Sequence, residues 1–362
     1  MNGPALQGVP EGVRRVADYE SHARAVLTPE AWAYFSAQAG DGSTARANAV
    51  AWDQWAVVPR VLHGVRQVDL ATTLPGCALP WPVLVAPMAL QRLAHPDGEV
   101  ATALAASALG AGFVLGSQSS VAIETVAAAY GPSSPGRGPL WFQLYLLPDR
   151  GATLALVRRA EAAGCQALVL TVDAGVRAAR PLRLPADVSA VNLPPAPVAP
   201  QSLETLLAQA ATWDDVAWLR SQTRLPVLLK GVLHPEDARE ALRHGVAGVI
   251  VSNHGGRVLD GALATAQALP AIADAVGGAL PLLVDGGIAR GTDVLKALAL
   301  GARAVLVGRP VLWGLATAGP AGSAHVLRLL RDELELAMAQ CGAASPDRLR
   351  TGLLQRAVGR HQ

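Results

Sequence analysis

Gly248-Val249-Ile250-Val251-Ser252-Asn253-His254-Gly255-Gly256-Arg257 runs a short apolar segment straight into a polar turn softened by glycines. A parallel strand buried on both faces reads as such a continuous apolar run, not as an alternating one. At its end stand a titratable histidine and a permanent cation three residues apart, with Asp260 just beyond, able to face one small ligand together. The layout recurs downstream. Leu282-Leu283-Val284 runs into Asp285-Gly286-Gly287, and Val305-Leu306-Val307 into Gly308-Arg309-Pro310. Successive strands that deliver glycine and charge at their C-terminal ends are how an active site is built on a parallel β/α barrel.

Working outward, the same kind of run appears at Val83–Ala86, Phe113–Leu115, Trp141–Tyr145, Ala167–Thr171 and Val227–Lys230, which makes eight with the three above. Helix starts lie between them: Pro235-Glu236-Asp237 places proline and acids in a first turn, and Thr292-Asp293 opens a helix ending near Gly301. Repeated β-α units in this number predict an α/β fold of the (β/α)8 TIM-barrel type, because an open doubly wound sheet would normally need fewer strands. The expected organisation is one domain over residues 1–362. Residues 1–60 form a helical N-terminal extension, 83–315 the barrel, 181–212 an irregular active-site loop containing Pro194-Pro195-Ala196-Pro197, and 323–341 a C-terminal closing helix.

Composition excludes several classes. Hydrophobic residues make up 51% of the chain and charged ones 16%, enough for a large core and unlike a disordered chain. A net charge of +2 without a basic run predicts no nucleic-acid footprint. Cys77, Cys165 and Cys341 are odd in number, far apart and in no metal spacing, so no disulfide framework and no metal site is expected, and a reducing, cytoplasmic location is. Met1–Arg15 lacks the apolar core of a signal peptide. Val100–Leu115 is apolar but broken at Gly110 and Gly112, and reads as a helix followed by a strand, with no membrane partner expected. The glycines of Gly110-Ala111-Gly112-Phe113-Val114-Leu115-Gly116 precede a strand instead of following one, which rules out a dinucleotide loop.

Lys230-Gly231-Val232, Ser252 through Arg257, Asp285-Gly286-Gly287 and Gly308-Arg309-Pro310 together resemble the FMN-dependent 2-hydroxy acid oxidase and dehydrogenase family, and the likeness runs from Tyr19 to the C-terminal helix. The resemblance implies oxidation of an (S)-2-hydroxy acid to the 2-oxo acid on FMN, with O2 as second substrate and hydrogen peroxide as product. A dehydrogenase passing electrons to a quinone or other carrier is the alternative, and a non-redox FMN isomerase or a silent FMN-binding paralogue stands further off. It also implies a homotetramer.

By the same resemblance His254 is the base, with Asp173 orienting its ring and stabilising the imidazolium. Arg257 and Arg180 form the expected carboxylate clamp, with Arg177 and Arg183 competing for the second place. Tyr19 and Tyr145 correspond to substrate tyrosines, and Met88 and Gln118 bear on the substrate pocket. Lys230 suits the flavin N1–O2 edge, Pro87, Met88 and Ala89 the region of N5, and Gln143 and Thr171 the pyrimidine edge. Ser252 and Ser117 are expected flavin contacts, although Gly116 stands where relatives commonly carry a serine. The phosphate is expected on Asp285, Gly286, Gly287, Gly308 and Arg309. Relatives often carry an arginine where this chain has Ala289, so one phosphate contact is expected to be either lost or shifted by one residue to Arg290.

Overall fold

The computed structural model describes residues 8–176, 185, 187–194 and 202–357. Before the barrel come α1 (Asp18–Val26), α2 (Pro29–Ser36) and α3 (Ser43–Ala51), then the short strand β1 (Trp55–Val57) and the hairpin β2 (Thr72–Leu74) and β3 (Cys77–Leu79). The repeat then runs β4 (Val83–Val85), α4 (Glu99–Leu109), β5 (Gly112–Gly116), α5 (Ile123–Tyr130), β6 (Leu140–Leu144), α6 (Arg150–Ala162) and β7 (Leu168–Thr171). After it come α7 (Leu203–Ala208), α8 (Trp213–Ser221), β8 (Val227–Val232), α9 (Pro235–Arg243), β9 (Gly248–Val251) and α10 (Thr265–Val276). The chain ends with β10 (Leu282–Val284), α11 (Gly291–Ala299), β11 (Ala304–Val307), α12 (Arg309–Gln340) and β12 (Leu354–Arg356). Strands β4 to β11 pair in parallel and close into a barrel, the (β/α)8 architecture read from the apolar runs.

Every barrel strand sends side chains to the axis. Leu84, Val114, Trp141, Val169, Leu228, Ile250, Leu283 and Leu306 form one buried cluster, and the residues flanking them face the surrounding helices. That alternation is why both faces of every strand are apolar. Leu74 and Leu79 of the β2–β3 hairpin join the same cluster and close the barrel at the end opposite the active-site loops.

The N-terminal helices cover the other end, where the strands finish. Asp260, beyond the His254 turn, accepts from the backbone N–H of Asp41 and Thr44 and from the Ser43 hydroxyl, so it caps α3 from a distant part of the chain. Those bonds hold its carboxyl at about 2, below the usual carboxylate range, with the Thr44 backbone bond the largest cause.

Three expectations need correction. The N-terminal extension is not helical throughout, since β1 pairs antiparallel with β12 at the far end of the chain. Residues 203–208, expected to be irregular, form α7, capped by the Ser202 hydroxyl on Thr205 N. The closing helix begins earlier than 323: α12 breaks at Ala318 and Gly319, where Gly319 has φ 57°, and resumes at Pro320.

Candidate active site

Strand register brings the catalytic candidates together. Thr171 of β7 pairs with Lys230 of β8, and Val232 of β8 pairs with Val251 of β9. The residues that follow β7 and β9 therefore converge over β8. There His254 Nδ1 lies 3.0 Å from Asp173 Oδ1. Two backbone features permit this. His254 itself has φ 58°, a left-handed conformation that histidine tolerates better than most residues, and Gly255 and Gly256 continue it. Gly231 has φ 112° at the bulge of β8, and a Cβ there would stand 2.5 Å from the Asp173 side chain, so only glycine admits the carboxylate.

Burial alone would raise the Asp173 carboxyl. The hydrogen bond from His254 and the nearby charges of His254 and Lys230 outweigh it and hold the carboxyl below its ordinary range. Its second oxygen, Oδ2, is buried with no hydrogen-bond partner among the described residues. Lys230 is buried as well, with its ammonium 2.9 Å from Asp285 Oδ2 and 2.8 Å from Ser252 Oγ. Burial works against its charge, yet Asp285 and Asp173 overcome that and push its pKa up.

His254, Lys230 and Asp285 open on a cavity of about 640 Å3 over the C-terminal ends of the strands, and Asp173 stands behind His254, off the cavity wall. That wall carries Pro87, Met88, Ala89, Gln118, Gln143, Tyr145, Thr171, Lys230, His254, Arg257, Asp285, Gly286, Gly287, Ala289, Gly308 and Arg309, so most of the residues singled out by sequence meet in one place. Arg257 is fixed from behind: its guanidinium donates to the backbone carbonyls of Tyr34, Phe35 and Ala37, tying it to the end of α2. Arg309 is held by the Gly255 carbonyl at 2.7 Å, and burial lowers its pKa against the opposing pull of Glu20 and Asp285.

Other candidates fall elsewhere. Tyr19 is fully buried and off the cavity wall. Its hydroxyl lies 2.8 Å from His325 Nδ1, and burial pushes its pKa up to about 12, so it is a packing residue of α1 against α12. Ser252 is also off the wall; it binds Lys230 Nζ and accepts the His254 backbone N–H, which makes it a support for both. Ser117 is fully buried behind Gly116, its Oγ without a hydrogen-bond partner among the described residues. Arg290 turns outward to Asp53 and Asp293 at the start of α11, so it does not take over the contact Ala289 lacks. The Asp285 carboxylate grips Lys230, which leaves Gly286 and Gly287 to serve an anion. Arg180, like Arg177 and Arg183, lies outside the described residues.

Tyr34 was missed. It lines the cavity, with the Arg257 guanidinium carbon 5.8 Å from its ring centroid. The chain has only four tyrosines, and Trp32-Ala33-Tyr34-Phe35 lies on a helix whose buried face carries Ala31 and Phe35. A tyrosine flanking such a face was the available signal. Asn192 was missed as well: buried in the loop after β7, it donates to Ser119 Oγ and the Val121 carbonyl and anchors that loop.

The donor set fits a flavin mononucleotide. Gln143 donates to Thr171 Oγ1 at 2.9 Å, giving a polar edge beside the Lys230 ammonium for the pyrimidine side of the ring. Asp285 Oδ1 is a buried acceptor on the wall without a partner among the described residues, suited to a ribityl hydroxyl. At Gly116 an added Cβ would come no closer than 3.5 Å to any protein atom, so the space in front of it is open to a flat ring. Gly286, Gly287, Gly308 and Arg309 present a glycine-lined cationic end for the phosphate.

Comparison with known proteins agrees. A family model described as FMN-dependent dehydrogenase matches residues 23–356. An L-lactate oxidase of Alicycliphilus denitrificans is 49% identical over 93% of this chain and 94% of its own length. Human 2-hydroxyacid oxidase 1 is 41% identical over 90% of this chain and 92% of its own. The crystal structure of a mandelate oxidase with (S)-2-phenylpropionate superposes with a TM-score of 0.86 at 41% identity, covering 96% of this chain and 99% of that one.

Proposed function

This chain belongs to the FMN-dependent dehydrogenase family, as a 2-hydroxy acid oxidase, and from that premise we propose which of its residues perform the reaction. The enzyme oxidises a 2-hydroxy acid with oxygen, using FMN. We assign it the (S) acid, of the lactate or mandelate type, the 2-oxo acid and hydrogen peroxide being the products. When bound, FMN would supply the two-electron chemistry that links oxidation of the substrate to reduction of oxygen.

The chain does the rest. His254 accepts the proton that leaves the substrate during oxidation, and Asp173, ionised at neutral pH, keeps the ring oriented and offsets the imidazolium charge. Arg257 receives the substrate carboxylate, and Tyr34 and Tyr145 supply phenol groups on the same wall. Met88 and Gln118 bound the space left for the substrate side chain. Lys230, charged through Asp285, stands for the flavin N1–O2 edge, where it favours negative charge on the reduced ring. Arg309 and the glycine turns hold the phosphate, with Ala289 contributing no charge. The observation that carries the reading is His254 standing on one cavity wall with Arg257 and Lys230 while Asp173 holds its ring from behind.

The reading extends to a cytoplasmic homotetramer. The three free cysteines support a reducing compartment, and light scattering of the purified protein tests the assembly. Among the described residues no helix is long and apolar enough to cross a membrane. Oxygen uptake with lactate, mandelate and glycolate, followed alongside peroxide release, tests the reaction. Equal uptake and peroxide with the (S) enantiomer of lactate or mandelate is expected; strong preference for glycolate overturns the substrate assignment, and no uptake with any of the three overturns the oxidase.

A further inference from the structure

Glu99 is the first residue of α4 and fully buried, and no ion pair reaches it among the described residues. A carboxylate in that position needs hydrogen bonds in place of water. Its Oε1 accepts the backbone N–H of Gln91 at 3.0 Å and that of Ser120 at 2.9 Å, and Oε2 accepts the Ser120 hydroxyl at 2.7 Å. The N-terminus of α4 favours the charge further.

What those bonds join matters. Gln91 belongs to the loop after β4 and Ser120 to the loop after β5. The two loops also touch directly, through Leu90 N to the Gln118 carbonyl at 3.2 Å and Arg92 N to Ser120 Oγ at 3.0 Å. Gln91 reaches back to the Met88 carbonyl at 3.4 Å and is itself fixed by Thr102 Oγ1 on α4 at 2.6 Å. Met88, Ala89 and Gln118 sit on these loops and line the cavity, whereas Glu99 does not touch it. Leu90 has φ 55°, a strained conformation for leucine that the surrounding bonds must impose. His254 and Asp173 stand on other loops, after β9 and β7.

We propose that Glu99 is a positioning residue that locks the β4 and β5 loops into one rigid wall, setting the width of the cavity at Met88 and Gln118 and thereby the affinity for the substrate side chain. The inference rests on the 2-hydroxy acid reading above. It separates binding from chemistry: loosening this wall should weaken binding while the proton-accepting pair, carried elsewhere, still works.

The test uses the FMN-loaded protein, its Glu99→Ala and Glu99→Gln variants, and Ser120→Ala. Benzoylformate, a 2-oxo acid, is titrated against the flavin absorbance, and steady-state rates are measured with (S)-mandelate. Glu99→Ala strands two buried backbone N–H groups, and about a tenfold rise in both the benzoylformate Kd and KM is expected, with kcat within about threefold of the parent. Glu99→Gln keeps an acceptor for both N–H groups and is expected to restore affinity to within about threefold. Glu99→Ala with unchanged Kd and KM overturns the proposal, as does a loss carried by kcat and FMN content together. Should Glu99→Ala fail to fold, Ser120→Ala decides: weaker benzoylformate binding at normal kcat supports the wall, and parental affinity overturns it. A parent protein whose flavin responds to no 2-oxo acid and no 2-hydroxy acid overturns the functional reading and this inference with it, an outcome distinct from failure of the variants alone.

Discussion

Asp173→Asn removes one negative charge and little else. The amide oxygen can still accept from His254 Nδ1, so ring orientation survives while the electrostatic support of the imidazolium is lost. With Nδ1 and Oδ1 3.0 Å apart, the charge centres are about 4 Å apart, and at an effective dielectric of about 20 the attraction is about 4 kcal/mol. The side chains are 19% and 13% exposed, so some solvent screening applies. A loss of about 2–4 kcal/mol then corresponds to about 30- to 1,000-fold in the rate of substrate oxidation. Lys230 keeps its charge, because Asp285 is the larger of its two supports, so FMN should remain bound. Stopped-flow reduction of the enzyme flavin under anaerobic conditions, at saturating (S)-lactate or (S)-mandelate, isolates the step. The deficit should persist across neutral pH, since the parental carboxyl is held below its ordinary range and is ionised throughout. A variant that retains FMN and is reduced within about threefold of the parental rate would refute the role given to this pair.

Other perturbations probe the supports of the site. Gly231→Ala places a Cβ 2.5 Å from Asp173 at φ 112°, so a stability loss of about 1–3 kcal/mol in denaturant unfolding is expected together with slower flavin reduction; an unchanged midpoint would contradict the close approach. Ala289→Arg adds a cation to the phosphate end of the cavity, and FMN titrated into apoprotein should bind about tenfold tighter, with the gain fading at high salt; unchanged affinity would mean that the phosphate lies elsewhere. Asp260 titrates at about 2 in the folded chain against about 3.9 unfolded. Its depressed pKa means that its contribution to docking α3 is fully present above pH about 4 and is lost as the pH falls toward about 2. Asp260→Asn should flatten acid unfolding in that window, and an identical acid limb in both proteins would exclude it.

The barrel was legible because parallel strands buried on both faces cannot alternate, so Val83–Val85, Gly248–Val251 and Ala304–Val307 stand out as apolar runs, each closed by residues with chemical function. The turn after β9 was legible for the same reason, since a histidine, two glycines and an arginine have little other use at a strand end. What a linear reading does not contain is the direction of a side chain on a helix. Tyr19 and Tyr34 both lie in N-terminal helices, and only the docking of α1 on α12 turns the first into the core and leaves the second at the cavity. Arg290 sits one residue from the expected contact, but the start of α11 rotates it toward Asp53 and Asp293. Ser252 directly follows a strand and faces Lys230 in place of the cavity. The β1–β12 pair joins residues some three hundred positions apart over three residues each, too short for periodicity to register.

The central claim, that this cavity oxidises a 2-hydroxy acid on FMN, is tested most directly by the visible spectrum of the purified protein. It is recorded without oxygen, again after one equivalent of (S)-lactate or (S)-mandelate, and finally after air is admitted. The account predicts a flavin spectrum that bleaches with one of these acids and returns rapidly in air with one equivalent of peroxide. A protein that carries no flavin, or whose flavin none of the acids bleaches, would contradict it.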